Sequence, residues 1–188
     1  MNKLLVAIMA FCFSTIGFAD MTLINDKSSL TFISIKQNQV AEVHRIKNLS
    51  GSYKGNKAEV TLDLASIDSK IGIRDQRMRD YLFEVSTFAT ARFTANIDSG
   101  LVASLPEGEV MPKTLDGELE LHGQKVPVTT KVNVIRLKSG GLSVTTIEPL
   151  IINAREFDMV KGIDKLRQLA GLDSIGYAVP VTFSVEFH

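Results

Sequence analysis

Apolar residues recur at every second position over much of this chain. Val60, Leu62 and Leu64 alternate with Thr61 and Asp63, and Ala91, Phe93, Ala95 and Ile97 alternate with Arg92, Thr94, Asn96 and Asp98. Leu115, Gly117, Leu119 and Leu121 stand against Asp116, Glu118, Glu120 and His122. After a turn at Gly123-Gln124 the rhythm resumes through Val126, Val128, Thr130, Val132 and Val134, with Lys131 and Asn133 on the other side. The clearest run sets Tyr177, Val179, Val181, Phe183, Val185 and Phe187 against Ala178, Pro180, Thr182, Ser184 and Glu186. A period of two belongs to a strand with one face buried and the other wetted. Weaker runs predict further strands over 29–36, 40–54 and 142–152. Gly51, Gly55-Asn56, Gly123 and Gly140-Gly141 fall between the runs and predict antiparallel hairpins.

Two stretches break this rhythm. Residues 71–84 place Ile71, Met78, Tyr81 and Leu82 near helical spacing among charged residues, with Asp75 four positions before Arg79, the supportive order on a helix face. Residues 159–171 carry Val160, Ile163, Leu166, Leu169 and Ala170 at helical spacing and stop at Gly171. No linker or internal repeat divides the chain. The pattern therefore predicts one all-β domain with two short helical stretches. About eight strands of such length leave exposed edges unless the sheet closes, which predicts an eight-stranded antiparallel β-barrel. A barrel of that size is filled by side chains or holds one small ligand.

Charge and composition narrow the function. Lys plus Arg and Asp plus Glu each total 21 of 188 residues, a balance that excludes a basic nucleic-acid binder. At the start of the chain, Lys3 is followed by an uncharged run over 4–19, with Gly17 and Ala19 at the spacing of a signal-peptidase site. That run is shorter than the roughly 20 residues needed to span a bilayer. It predicts a cleaved signal peptide over 1–19 and a functional domain over 20–188. The single cysteine, Cys12, lies inside the peptide, so export leaves no disulfide, thiol nucleophile or thiolate metal site. An exported chain without cysteine fits the bacterial periplasm.

Catalytic motifs are missing: no glycine-rich phosphate cradle, zinc-protease histidine pair or nucleophile elbow occurs. His44, His122 and His188 lie on separate strands or at the terminus and read as polar or edge residues rather than metal ligands. Asn48-Leu49-Ser50 is a chance match to a glycosylation acceptor. The cluster Arg74-Asp75-Gln76-Arg77 has two readings, a catalytic or head-group clamp and a solvated helix face with weak ion pairs.

The run Gly72-Ile73-Arg74-Asp75-Gln76-Arg77-Met78-Arg79-Asp80-Tyr81-Leu82-Phe83-Glu84-Val85, followed by Phe88-Ala89-Thr90-Ala91-Arg92-Phe93, resembles the signature of YceI-like proteins. Asp63 to Asp68 precede it as in that family, and Leu121-His122-Gly123 with Pro127-Val128 is similar to its hairpin. Asn153-Ala154-Arg155-Glu156-Phe157 resembles its Arg-x-Phe step, and the last strand is also similar. There are two departures. Arg77 and Met78 replace a usual His and Leu, which removes one polar contact near the helix. Asp158 stands where a glycine commonly follows the Arg-x-Phe aromatic.

The resemblance implies a lipocalin-like barrel in the periplasm with an apolar interior cavity. Its ligand would be a long-chain apolar lipid: an isoprenoid quinone, a polyprenyl chain or a fatty-acid-like molecule. On that implication Phe32, Leu62, Leu64, Phe93, Leu119, Val132, Val181 and Phe183 line the cavity, and Arg74, Arg77 and Arg155 contact a polar head. Burial of an apolar chain is driven by about 25 cal/mol per Å² and requires no cofactor, metal or catalytic residue. A homodimer would serve a tail longer than one barrel. Two rival readings are an enzyme or interaction module using the Arg74–Asp80 helix and a small outer-membrane β-barrel. The second shares the export signal and alternating strands, but its aromatic girdles are poorly served by ten Phe, three Tyr and no Trp.

Overall fold

The computed structural model describes residues 20–138 and 140–188; the predicted signal peptide lies outside the described residues. Alternation produces strands where it is strong. These are β1 (Met21–Thr22), β2 (Ser29–Lys36), β3 (Val40–Ile46), β4 (Leu49–Lys54), β5 (Lys57–Asp63), β6 (Ile67–Asp68), β7 (Thr90–Asn96), β8 (Val110–Leu121), β9 (Gln124–Arg136), β10 (Leu142–Thr146), β11 (Leu150–Asn153) and β12 (Ala178–Phe187). They form one curled sheet in the order β1-β4-β5-β7-β8-β9-β10-β12-β2-β3-β6, with β11 also pairing β12. All of these strand pairs are antiparallel.

The longest hairpin, β8–β9, turns at His122 and Gly123, whose φ angles of 51° and 77° both fall in the left-handed region. Two such residues make the tight turn whose twist matches the flanking strands, and glycine supplies the second at no steric cost. The turn thus sits one residue earlier than Gly123-Gln124, with Leu121 opposite Gln124.

The sheet curls until its β1 end reaches the far end of β12. Thr22 N–H donates to the His188 carbonyl at 2.6 Å, His188 N–H returns the bond to Thr22 at 2.9 Å, and Ile24 N–H donates to Glu186 at 2.8 Å. On the other side β3 passes through only Lys47 and Asn48 into β4, which lies at the opposite end of the strand order. The expected barrel of eight strands is therefore a curled sheet of twelve. The stretches 40–54 and 142–152 each divide into two strands, and the two-residue β1 and β6 are too short to show a period.

Among the described residues three α-helices accompany the sheet. Helix α1 (Gly72–Arg77) runs on into a π-helical turn over Met78–Leu82, and α3 (Val160–Ala170) follows β11; both match the two expected stretches. Helix α2 (Ser99–Ser104) was not expected. Its start is fixed by Asp98, whose side chain accepts from Gly100 N–H at 2.8 Å, and Val102 is fully buried. The arginine ending β9, Arg136, donates to the Ala103 carbonyl at 3.0 Å and so ties α2 to one end of the sheet. Helix α3 packs on the π-helical turn, with Gly162 against the backbone of Tyr81 and Leu82.

Candidate functional site

The inward positions of the strands do not meet in the middle. They enclose a cavity of about 200 Å³. On one side Val60 lies opposite Phe93, and Phe93 opposite Leu119, so a single row crosses β5, β7 and β8. On the other side Val181 pairs with Phe32, and Phe183 with Leu30. Leu82 of the π-helical turn and Phe83 just after it, with Met159 and Ile163 at the start of α3, complete the lining. Among the described residues Thr130 is the one lining residue with a polar side chain.

The expected wall residues Phe32, Leu62, Leu64, Phe93, Leu119, Val181 and Phe183 all line this cavity. Leu64 does so from a 3-10 turn over Leu64–Ser66 rather than from a strand. Val132 does not line it. The residue has the inward parity but is 0% exposed, in the solid core beyond the cavity where β9 approaches α2. Parity sets in or out; it carries no information on depth.

None of Arg74, Arg77 and Arg155 lines the cavity. Arg74 holds the Glu42 carboxylate at 2.6 Å and donates to the Ser69 carbonyl at 2.6 Å. Arg77 donates to the carbonyl of Leu169 at 3.2 Å, which fastens α1 to the end of α3. Arg155 stacks over the Tyr177 ring, 4.4 Å from its centre. Asp75 accepts from Ser69 N–H at 2.7 Å. The charged helix thus spends these groups on protein partners.

A histidine that the sequence reads as a polar or edge residue is buried here. His44 is 2% exposed, with Nε2 at 2.7 Å from Ser34 Oγ and its ring 5.0 Å from Phe32. It shares the inward parity of Ile46, a cavity residue two positions on, and that shared parity is the signal that could have found it. Burial, with the nearby Arg74 charge, pushes the imidazole pKa down to about 4, against an upward pull from Glu42 and Asp75. Glu42 itself is raised by burial, but hydrogen bonds from Lys36 and Arg74 outweigh this and hold its carboxyl below the ordinary range. Among the described residues no group of His, Cys, Asp and Glu is placed to hold a metal ion.

The model of the YceI-like domain matches residues 21–187. This chain belongs to the YceI-like family. A polyisoprenoid-binding domain from Saccharophagus degradans, implicated in plant cell wall breakdown, is 37% identical, with a TM-score of 0.87 over 89% of this chain and 97% of that one. BcnA of Burkholderia cenocepacia shares the YceI-like fold at 20% identity and a TM-score of 0.68, covering 87% of this chain and 98% of its own. The YceI protein of Campylobacter jejuni does so at 16% and 0.57, covering 81% and 88%. No curated protein matches.

One departure from the YceI-like pattern has a measurable cost. Asp158 stands at φ 56°, in the left-handed region, between the fully buried Phe157 and Met159 at the entry to α3. A side chain in that conformation is strained where glycine is not. Asp158→Gly should raise stability by about 0.5–1 kcal/mol, read as a higher denaturant midpoint with unchanged slope.

Proposed function

We infer that this protein sequesters or carries a long-chain apolar lipid of the isoprenoid class in its cavity, and that it works in the periplasm after export. The observation that carries this reading is the wall itself: side chains from strands on both sides of the curl present one continuous apolar surface around empty space. An isoprenoid tail moved into such a cavity leaves water at about 25 cal/mol per Å². The likeness to a polyisoprenoid-binding domain supports the ligand class. Engagement of Arg74 and Asp75 by Glu42 and Ser69 favours a binding role over chemistry on that helix.

The facing of the sheet argues against insertion as an outer-membrane barrel. Its outer surface carries ion pairs between Arg92 and Glu120, Lys125 and Glu118, and Lys131 and Glu148, while its interior is apolar. A membrane barrel has the reverse arrangement. No described helix is long and apolar enough to cross a membrane.

The test is to express the full chain with its own leader, purify it from periplasm without detergent, extract it with organic solvent and identify the extract by mass spectrometry. A stoichiometric isoprenoid lipid is the expected result. An empty extract from folded, soluble protein would overturn the reading.

A further inference from the structure

The outer face of the sheet is not charged throughout. Along β7, β8 and β9 it carries ion pairs, whereas a band across β11, β12, β2 and β3 is apolar. Leu150 and Ile152 line the cavity, so Ile151 between them points outward, and it is 56% exposed. Ile151 pairs with Pro180, the outward neighbour of the lining residue Val181. Val181 pairs with Phe32, so Ile33 is the outward residue that follows on β2. Ile33 in turn pairs with Val43, which is 59% exposed. One apolar row, Ile151-Pro180-Ile33-Val43, therefore crosses four strands, with its most exposed side chains at its two ends. Ala178 and the paired Ile35 and Ala41 extend it on one side. On the other side the hydroxyls of Thr31 and Thr182 satisfy each other at 2.9 Å.

Apolar side chains exposed contiguously over four strands mark an interface. A face that docks on a bilayer carries lysine, arginine and aromatic side chains. None of the four residues in this row is of those types. We propose that the partner is a second copy of this chain, packed row against row about a two-fold axis parallel to the strands. That axis sets Val43 of one copy over Ile151 of the other, and Ile33 over Pro180, in the aligned geometry of two packed sheets. Charge fits the same axis. Arg45, exposed two positions beyond Val43, comes to lie near Glu148 of the other copy, where it adds a second cation to the Lys131–Glu148 pair. The row and its flanking rows extend about 20 Å each way, so two copies bury roughly 1,000 Å². That area is at the low end for specific interfaces, and the association is reversible and weak. The interface stands directly behind the cavity wall, because Phe32 and Val181 occupy the inner face of the same strands. It does not depend on what the cavity holds.

The test is sedimentation velocity of the purified protein from about 1 to 300 μM, where a monomer–dimer equilibrium with a Kd of roughly 10–100 μM is expected. Val43→Glu and Ile151→Lys should each weaken the dimer at least about tenfold, since each buries an unpaired charge against an apolar residue. The double variant Val43→Glu, Ile151→Lys sets unlike charges against each other across the axis and should recover the dimer. Both positions are exposed, and unchanged urea midpoints check that the variants fold. A monomer at every concentration of the unsubstituted protein would overturn the proposal whatever the variants do. Single variants that dimerise undiminished, or a double variant that stays monomeric, would overturn the face or the axis. A monomer that floats with phosphatidylglycerol vesicles, and no longer does so as Val43→Glu, would overturn the second copy in favour of a membrane.

Discussion

Gly162→Ala should destabilise the protein by about 1–3 kcal/mol and loosen its hold on a bound lipid, although helix propensity alone predicts a gain of about 1 kcal/mol. A Cβ at this position would collide with the Tyr81 carbonyl oxygen and stand 2.9 Å from Leu82 Cα. Both obstacles are backbone, so neither can rotate away. Helix α3 must lift from the π-helical turn, and the parts that separate include Ile163 on one side and Leu82 and Phe83 on the other, all of which line the cavity. Gly162→Val should do more of the same, losing about 3 kcal/mol or more. Denaturant midpoints for both variants, with the lipid retained through gel filtration measured alongside, check this. A more stable Gly162→Ala variant would show that helix propensity outweighs the contact and that α3 sits loosely.

Acidification should cost the protein roughly 3 kcal/mol between about pH 6.5 and pH 4, through His44. The sign follows from its depressed pKa. In the unfolded chain the imidazole takes a proton near its ordinary 6.5, whereas in the folded protein it resists until about 4. Between those values the unfolded state binds more protons, so stability falls as pH falls, by up to about 1.4 kcal/mol per pH unit. Lys36 and Arg74 reinforce the shift by opposing a further positive charge, while Glu42 and Asp75 oppose it. Glu42 adds in the same direction at lower pH, because its folded pKa is depressed and its stabilisation is lost as the carboxylate protonates. His44→Gln should remove this share of the slope between pH 6.5 and 4 and leave the loss due to Glu42. Urea melts across this window supply the measurement. An equally steep curve for the variant would place the titrating group elsewhere.

Much of the fold is legible because a half-buried strand writes its two faces into every second residue. The last strand and the β8–β9 hairpin are plain for that reason, as are the wall positions Phe93, Leu119 and Phe183. What escapes is set by length, depth or partner. Two residues, as in β1 or β6, cannot show a period, and the six-residue α2 is fixed mainly by the Asp98 side chain. Val132 has the right parity and the wrong depth. The arginines show a further limit: side-chain type announces charge, but the groups that engage Arg74 and Arg77 come from β3 and from the end of α3. His44 is hidden because its strand face mixes Ile46 with Glu42, so the face carries no clean apolar signature. Thr130 reads as one more β-branched strand residue, and only the structure shows that its buried hydroxyl has no partner among the described residues.

The mutual backbone bonds between Thr22 and His188 have a consequence for the order of events in the cell. They join segments from opposite ends of the described chain, and β12 supplies both a wall of the cavity and the partners of β2, β10 and β11. Contacts so distant in sequence form late and slowly. A chain whose last strand has not yet formed has β2 without β12 beside it, and hence no enclosed space. The cavity therefore exists only once the last strand has joined the sheet, so a ligand can be held only by the finished fold.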